Sequence, residues 1–267
     1  MINLNNQTQK IYIILQVMNI KYFIPNLLTL CNLLCGLLSI FVLLKGLHLE
    51  FFSKEYNYLS IGCYLIFMGG IFDLLDGLFA RLLNAKSKIG QQLDSFADFA
   101  TFGIAPCFIL WNLISLRIME TEFAFISYGV FIFPFFSALR LAKFNLDINQ
   151  NFMFKGLPTP AAAFFIAGLL WFPYNFLPTN NFSTYTIPWY ETTLLFITLC
   201  LCFLMVSSLK MFSLKFKNWS WHDNKLKYIF VLIAMILFLT YYFAAISIIV
   251  VLYLFLSITN NLFENEV

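Results

Sequence analysis

The chain has 267 residues, of which 61% are hydrophobic and only 11% are charged, and its formal net charge is +3. Soluble domains carry about 25% charged residues, so this composition excludes a soluble globular protein and is typical of a polytopic membrane protein. The basic residues lie in short loops between apolar segments, which argues against nucleic acid as a partner. The predicted fold class is therefore all-α, a bundle of transmembrane helices.

The predicted elements begin with a cytoplasmic or interfacial segment over residues 1–22, whose apolar run is short and is followed by no cleavage site of small residues. About 20 apolar residues cross the hydrocarbon core as a helix. Spans are predicted on this basis at 24–47, 57–80, 93–116, 123–142, 160–176 and 192–212. We assign residues 23–215 to one transmembrane core and 216–267 to a cytoplasmic loop with the C-terminal transmembrane helices.

The last apolar run covers residues 228–258. As one straight helix it would rise about 46 Å at 1.5 Å per residue, against a hydrocarbon core of about 30 Å. We therefore predict two short spans with a turn near Thr240–Ser247, which gives eight spans in total. Seven is the alternative, because neither glycine nor proline marks the turn.

Positive charge predicts the orientation of the bundle. If the N-terminus is cytoplasmic, all of the 16 lysines and arginines except Lys45, Lys54 and Arg117 fall on the cytoplasmic side. This asymmetry predicts a cytoplasmic N-terminus. It also places the loop at 81–90 at the cytoplasmic face.

Two polar stripes flank that loop. The first consists of Asp73, Asp76, Gly77, Ala80 and Arg81, at helical offsets 0, +3, +4, +7 and +8. The second consists of Gly90, Asp94 and Asp98, at offsets 0, +4 and +8. Residues three and four apart share a helix face. A short connection makes the two helices antiparallel neighbours, so we expect the four carboxylates to meet near one point.

Four adjacent carboxylates need positive charge beside them. Arg81 supplies one charge, and divalent cations supply more. Oxygen ligands suit Mg²⁺ or Mn²⁺, and two metal ions held by carboxylates recur in phosphoryl chemistry. Two alternatives stay open: a polar network that only joins helices, and an ion or proton carrier. Transporter sites usually lie at mid-membrane between repeats, whereas this motif occurs once and near the membrane boundary.

The pattern Asp73-x-x-Asp76-Gly77-x-x-Ala80-Arg81, followed after eight residues by Gly90-x-x-x-Asp94-x-x-x-Asp98, resembles the signature of the CDP-alcohol phosphotransferases. The resemblance implies transfer of a phosphatidyl or phosphoalcohol group from a CDP-linked donor to an alcohol, with release of CMP. It implies that Asp73, Asp76, Asp94 and Asp98 bind divalent metal, with two ions expected, and that Asp98 is also the catalytic base. It further implies a homodimer.

The resemblance also implies contacts with CDP. The matching positions are Gly77, Arg81, Ser87 and Gly90. On the first predicted span, Thr29, Asn32 and Gly36 lie at offsets 0, +3 and +7, where many bacterial members of the family close the nucleotide pocket. We therefore assign Thr29 and Asn32 to CDP binding. A polar packing face is the alternative.

Three stretches resemble the bacterial and archaeal phosphatidylserine synthase branch of the family: "SFADFATFGIAP" (95–106), "ALRLAKFN" (138–145) and "FKGLPTPAAA" (154–163). The resemblance implies CDP-diacylglycerol and L-serine as substrates. The serine carboxylate needs a cation, which Arg140 or Lys143 could supply; otherwise both are ordinary cytoplasmic-side charges. Glycerol 3-phosphate and inositol remain alternative acceptors. We expect an integral membrane protein with its active site at the cytoplasmic face.

Overall fold

The computed structural model describes residues 20–46, 57–85, 87–118, 124–146, 154–171, 189–211 and 221–264. Within these ranges the chain is helical except for loops and one pair of two-residue strands. The predicted all-α membrane bundle is confirmed. Most of the predicted interfacial segment, residues 1–19, lies outside the described residues.

The described chain contains nine α-helices. They are α1 (Ile20–Lys45), α2 (Asn57–Leu82), α3 (Lys88–Asp98), α4 (Ala105–Ile118), α5 (Ile132–Leu146), α6 (Thr159–Leu169), α7 (Trp189–Val206), α8 (Trp221–Tyr241) and α9 (Ala244–Glu264). A π-helical segment, Phe99–Ile104, joins α3 to α4, and a 3₁₀ segment, Ala124–Phe131, leads into α5. Strands β1 (Phe154–Lys155) and β2 (Lys210–Met211) pair antiparallel.

Eight apolar stretches in the described residues correspond to the eight predicted spans. Five are long and apolar enough to cross a membrane: Lys21–Lys45, Tyr58–Leu82, Lys88–Ser115, Ala124–Leu146 and Asn224–Tyr241. Three are shorter apolar helices: Thr159–Leu169, Tyr190–Val206 and Ala244–Thr259. The turn predicted in the last apolar run is confirmed, because α8 ends at Tyr241 and Tyr242 has φ 51°.

The centre of the bundle is the continuous helix that runs from α3 through the π-helical segment into α4. In its most apolar stretch, within Lys88–Ser115, 72% of the residues are buried. The corresponding shares are 39% for Tyr58–Leu82 and 11% for Asn224–Tyr241. Ile109, Leu110 and Ile114 of α4 are fully buried. The second carboxylate stripe therefore lies at one end of the most buried of the five long apolar helices in the described residues.

Helix α1 packs closely on α2 and on the π-helical segment because small residues face the contacts. A Cβ added to Gly36 would lie 2.4 Å from Thr101 Oγ1 and 2.8 Å from the Thr101 backbone. A Cβ on Gly69 of α2 would lie 2.5 Å from Thr101 Cγ2. The Thr101 hydroxyl donates to the Asn32 carbonyl at 2.9 Å, and this hydrogen bond ties α1 to the central helix.

A tight connection links α2 to α3. Asn84 adopts the left-handed conformation (φ 47°), which asparagine tolerates, and the Ala85 amide donates back to the Ala80 carbonyl at 2.8 Å. Ser87 then caps α3, since its hydroxyl accepts the Gly90 amide at 2.9 Å. This capped start explains why the helix begins at Lys88 and not at the predicted residue 93.

Candidate active site

Three of the four aspartates converge. Asp73 and Asp76 of α2 and Asp94 of α3 each offer a carboxylate oxygen, and these three oxygens lie within 4.8 Å of one another. The prediction that the two stripes meet is therefore confirmed for these residues. Metal ligation by them stays a prediction.

Asp98, the fourth aspartate, lies at the end of α3, where the helix enters the π-helical segment. It interacts electrostatically with the other three aspartates and with the Arg140 guanidinium of α5. Asp98 therefore stands between the acidic cluster and a buried cation. A π-helical turn is rare and occurs often at functional sites, so its position directly after Asp98 is informative.

Helix α1 lies along both α2 and α3, whereas the backbones of α2 and α3 make few close approaches to each other. The carboxylates of α2 and α3 nevertheless converge, as the two stripes predict. Helix α1 therefore packs beside both helices that carry the acidic cluster.

Two polar residues of α1 reach the cluster. The Thr29 hydroxyl, in a residue only 3% exposed, donates to Asp76 Oδ2 at 2.6 Å. The Asn32 amide donates to Asp98 Oδ1 at 3.5 Å, and Asn32 is fully buried. Both residues were assigned to CDP binding from the sequence. Thr29 lines the cavity beside the cluster, whereas Asn32 lies deeper, against Asp98.

A cavity of about 370 Å³ opens beside the acidic cluster. Its walls come from α1, α2, α3 and the connection between α2 and α3. They include Asn26, Thr29, Asp76, Gly77, Ser87 and Gly90. The cavity is thus bordered by two carboxylates, the capped start of α3 and small residues. The small residues allow a bound polar group to approach the backbone.

The predicted CDP contacts lie around this cavity in different ways. A Cβ added to Gly77 would meet only Arg81 Nη2, at 3.6 Å, so Gly77 faces open space. A Cβ on Gly90 would lie 3.0 Å from both Asn26 Oδ1 and Ser87 Oγ, so a side chain at this wall requires these two neighbours to shift. Arg81 is exposed, and its Nε donates to the Gly77 carbonyl at 2.8 Å.

The two predicted serine-binding cations lie in different surroundings. Arg140 is only 8% exposed, and its Nη1 donates to Thr159 Oγ1 at 3.4 Å. Lys143 is exposed, and its Nζ donates to the Val206 carbonyl at 3.4 Å, at the end of α7. Of the two, Arg140 is the one coupled electrostatically to Asp98.

A family model described as CDP-alcohol phosphatidyltransferase matches residues 22–189, more than half of the chain, and this range includes all four aspartates. The chain belongs to the CDP-alcohol phosphatidyltransferase family. The resemblance seen in the aspartate motif is thereby confirmed, and with it the class of protein: a membrane-bound transferase.

Several relatives with named activities are similar to this chain. Over 249 residues the chain is 33% identical to the CDP-diacylglycerol–serine O-phosphatidyltransferase of Helicobacter pylori, which covers 92% of this chain and 93% of that protein. A protein of the same name from Bacillus subtilis is 35% identical over 153 residues, 57% of this chain and 77% of that protein. The archaetidylserine synthase of Methanothermobacter thermautotrophicus is 28% identical over 192 residues, 70% of this chain and 68% of that protein.

The donor set of the acidic cluster fits a divalent cation. Its three converging carboxylates are the hard oxygen ligands that Mg²⁺ and Mn²⁺ take. Asp94 Oδ1 is buried and has no hydrogen-bond partner among the described residues. A buried carboxylate oxygen without a donor is costly, and a bound cation would satisfy it.

Sequence reasoning missed three residues of the site. Asn26 and Gln91 line the cavity, and Thr159 contacts Arg140. The signal for Asn26 was its position three residues before Thr29, on the same face of α1. Gln91 likewise lies three residues before Asp94. Thr159 had no such signal, because its contact depends on how α6 packs on α5.

Proposed function

We propose that this protein transfers the phosphatidyl group of CDP-diacylglycerol to L-serine and so produces phosphatidylserine and CMP in phospholipid biosynthesis. The observation that carries the proposal is the convergence of the motif carboxylates beside a cavity, in a chain that matches a serine phosphatidyltransferase over 92% of its length. The convergence supports phosphoryl transfer, and the named relatives support serine as the acceptor.

In this proposal the CDP group occupies the cavity beside the acidic cluster. Gly77 leaves room for the nucleotide to approach the α2 backbone. Arg81 turns from its own helix carbonyl to the diphosphate, for which a guanidinium is a suitable partner. Thr29, Ser87 and Gly90 complete the CDP contacts around the cavity, and the acyl chains extend into the bilayer. Asn32, which lies deeper against Asp98, is the remaining assigned CDP contact.

Asp73, Asp76, Asp94 and Asp98 would hold two divalent cations, Mg²⁺ or Mn²⁺. When bound, such cations neutralise the diphosphate and stabilise charge on the departing CMP. The Thr29 hydroxyl occupies one oxygen of Asp76 and thereby orients this carboxylate, as outer hydrogen bonds do at metal sites.

Asp98 acts as the base. It accepts the proton of the serine hydroxyl as the serine oxygen forms a bond to the phosphorus that carries the diacylglycerol. The bond between that phosphorus and the CMP oxygen breaks, and CMP leaves with the electron pair. Arg140 lies in electrostatic range of Asp98, which supports a role in holding the serine carboxylate nearby. Lys143 is the second proposed cation for serine.

The proposed enzyme is an integral membrane protein whose active site faces the cytoplasm, where serine is dissolved and CMP is released. The concentration of lysine and arginine in the loops on that side supports the orientation. A homodimer is part of the proposal, by analogy with the family.

CMP release by the purified protein tests the proposal. The protein in detergent is given CDP-diacylglycerol and Mg²⁺ or Mn²⁺, with L-serine, glycerol 3-phosphate, inositol or no acceptor. Release that depends on serine supports the proposed function. Release only with another alcohol would support phosphatidyl transfer as the reaction and refute serine as the acceptor. Folded protein that releases no CMP with any acceptor would favour an ion or proton transporter.

A further inference from the structure

Arg140 is a buried arginine, and three groups surround it. Its Nη1 donates to Thr159 Oγ1 at 3.4 Å. Its guanidinium carbon lies 4.9 Å from the centroid of the Phe144 ring, one turn further along α5, in cation–π geometry. Its charge faces Asp98. One end of the guanidinium is therefore held by a hydroxyl, while most of its five donors stay available.

Thr159 is itself fixed from several directions. It is fully buried and lies in the first turn of α6, directly after Pro158. The preceding residues are fastened to the end of α7: the Gly156 amide donates to the Leu209 carbonyl at 2.8 Å, and the Leu157 amide donates to the Leu204 carbonyl at 3.0 Å. Gly156 has φ 74°, and a Cβ there would lie 2.5 Å from the Met205 carbonyl, so only glycine fits.

Helix α5, which carries Arg140, is tied to the acidic side as well. Asn145 Nδ2 donates to Ser95 Oγ at 2.8 Å, and Ser95 lies one residue after Asp94 on α3. The guanidinium is thus held between a hydroxyl anchored by the α7 end and a helix that is hydrogen-bonded to α3. Such an arrangement limits the positions that Arg140 can adopt relative to Asp98.

We propose that Thr159 is a positioning residue: its hydroxyl orients the Arg140 guanidinium so that the enzyme prefers an acceptor alcohol that bears a carboxylate. This inference rests on the proposed function. A guanidinium pairs with a carboxylate through two parallel hydrogen bonds, and this pairing requires a fixed orientation of its plane. Without the Thr159 hydroxyl, the guanidinium keeps its charge near Asp98 but loses the hydrogen bond that sets its rotation.

The test compares two acceptors with Thr159→Val and Thr159→Ser. The acceptors are L-serine and serinol, in which a hydroxymethyl group replaces the carboxylate. For each acceptor, KM is measured at saturating CDP-diacylglycerol. If serinol is not turned over, its Ki as a competitor of serine is measured instead. With T159V we expect KM for serine to rise about tenfold, as for loss of a hydrogen bond to a charged group, while kcat changes less than about threefold. The serinol constant and KM for CDP-diacylglycerol stay at the wild-type values, and T159S restores serine binding.

Thr198→Val is the matched control. Thr198 is also fully buried, and its hydroxyl donates to the Leu194 carbonyl within α7 at 2.8 Å. T198V removes a buried threonine hydroxyl without touching Arg140, so it should not change the preference for serine over serinol. If T159V does not fold, Thr159→Ala serves in the same comparison.

Equal losses for serine and serinol in T159V, or no loss for either, would overturn the role of Thr159. That result is separate from failure of the proposed function, which the wild-type protein reveals by itself. A wild-type protein that transfers to a different alcohol refutes the serine assignment. A wild-type protein that uses serine, combined with a T159V variant of unchanged preference, refutes only the inference about Thr159.

Discussion

Thr29 and Thr159 are two buried threonines whose hydroxyls contact charged side chains on opposite sides of the site. Thr29 donates to a carboxylate, Asp76, at 2.6 Å, whereas Thr159 accepts from a guanidinium, Arg140, at 3.4 Å. On the Thr29 side, the charged residues lie on two helices joined by a short loop. On the Thr159 side, the orientation of the charged residue, Arg140, depends on α6 and on the end of α7.

This difference separates two tasks of the proposed reaction. The proposal assigns metal and nucleotide binding to residues of α1, α2 and α3, where the geometry is set by helix faces. It assigns recognition of the acceptor to the side whose loop is hydrogen-bonded through Gly156 and Leu157 to the end of α7. Changes to this loop can alter the acceptor while the acidic cluster stays the same. If this division is real, variants on the two sides should affect different kinetic constants.

The largest effect is expected for Asp98→Asn, because Asp98 lies between the two sides. Loss of the base should lower kcat by about a thousandfold or more, while the variant remains folded and retains CDP binding. CMP release and thermal unfolding in detergent measure the two properties. Near-normal turnover in D98N would remove Asp98 as the base.

Gly77→Ala should weaken binding of the nucleotide group without affecting the fold. A Cβ at this position meets only Arg81 Nη2 at 3.6 Å, so the helix accommodates it. The added methyl group narrows the cavity, and we expect KM for CDP-diacylglycerol to rise about tenfold, as for roughly 1.4 kcal/mol of lost binding. The melting temperature should not fall, because alanine favours a helix over glycine.

Gly36→Ala is the matched contrast for Gly77→Ala. Its Cβ would lie 2.8 Å from the Thr101 backbone, so α1 and the π-helical segment must separate. We expect a loss of about 1–3 kcal/mol in stability, as for overpacked cores. Equal thermal stability of the two variants would contradict the close packing of α1.

Thr29→Val should weaken metal binding and leave serine binding unchanged. Removing the hydroxyl frees Asp76 to rotate, and loss of such outer hydrogen bonds typically costs 10–100-fold in metal affinity. We expect the Mg²⁺ or Mn²⁺ concentration for half-maximal activity to rise about tenfold, with KM for serine unchanged and with recovery in Thr29→Ser. A T29V variant that shifts KM for serine and leaves the metal requirement unchanged would contradict the division between the two sides.

The smallest effect is expected for Lys143→Gln. Lys143 is exposed and its ammonium group contacts the Val206 carbonyl, so its charge is screened by water. KM for serine should rise by about threefold or less, within roughly 0.7 kcal/mol, whereas Arg140→Gln should raise it far more. Equal effects of K143Q and R140Q would make Lys143 a full partner in serine binding.

The sequence predicted the features that follow from spacing along one helix. The eight apolar segments, the turn after Tyr241 and the convergence of Asp73, Asp76 and Asp94 all follow from length or periodicity. Distances between helices do not follow from periodicity. For this reason the packing of α1 along both α2 and α3 was not predicted.

Side-chain contacts between helices could not be predicted from the sequence either. Asn32 shares a face with Thr29, yet the tight contact of α1 with Thr101 places it against Asp98 and away from the cavity wall. Arg140 and Lys143 are three residues apart and have the same charge in the sequence. Only the packing of α6 buries Arg140 beside Thr159 and leaves Lys143 exposed.

Metal-dependent formation of phosphatidylserine is the decisive measurement for the proposed function. The purified protein is incubated with CDP-diacylglycerol and isotopically labelled L-serine, and the labelled lipid and CMP are quantified together with and without a chelator. The proposed function predicts one labelled phosphatidylserine for each CMP, loss of both products with the chelator, and recovery when Mg²⁺ or Mn²⁺ is added. Labelled lipid that forms at the same rate in excess chelator, or folded protein that forms none with metal present, would contradict it.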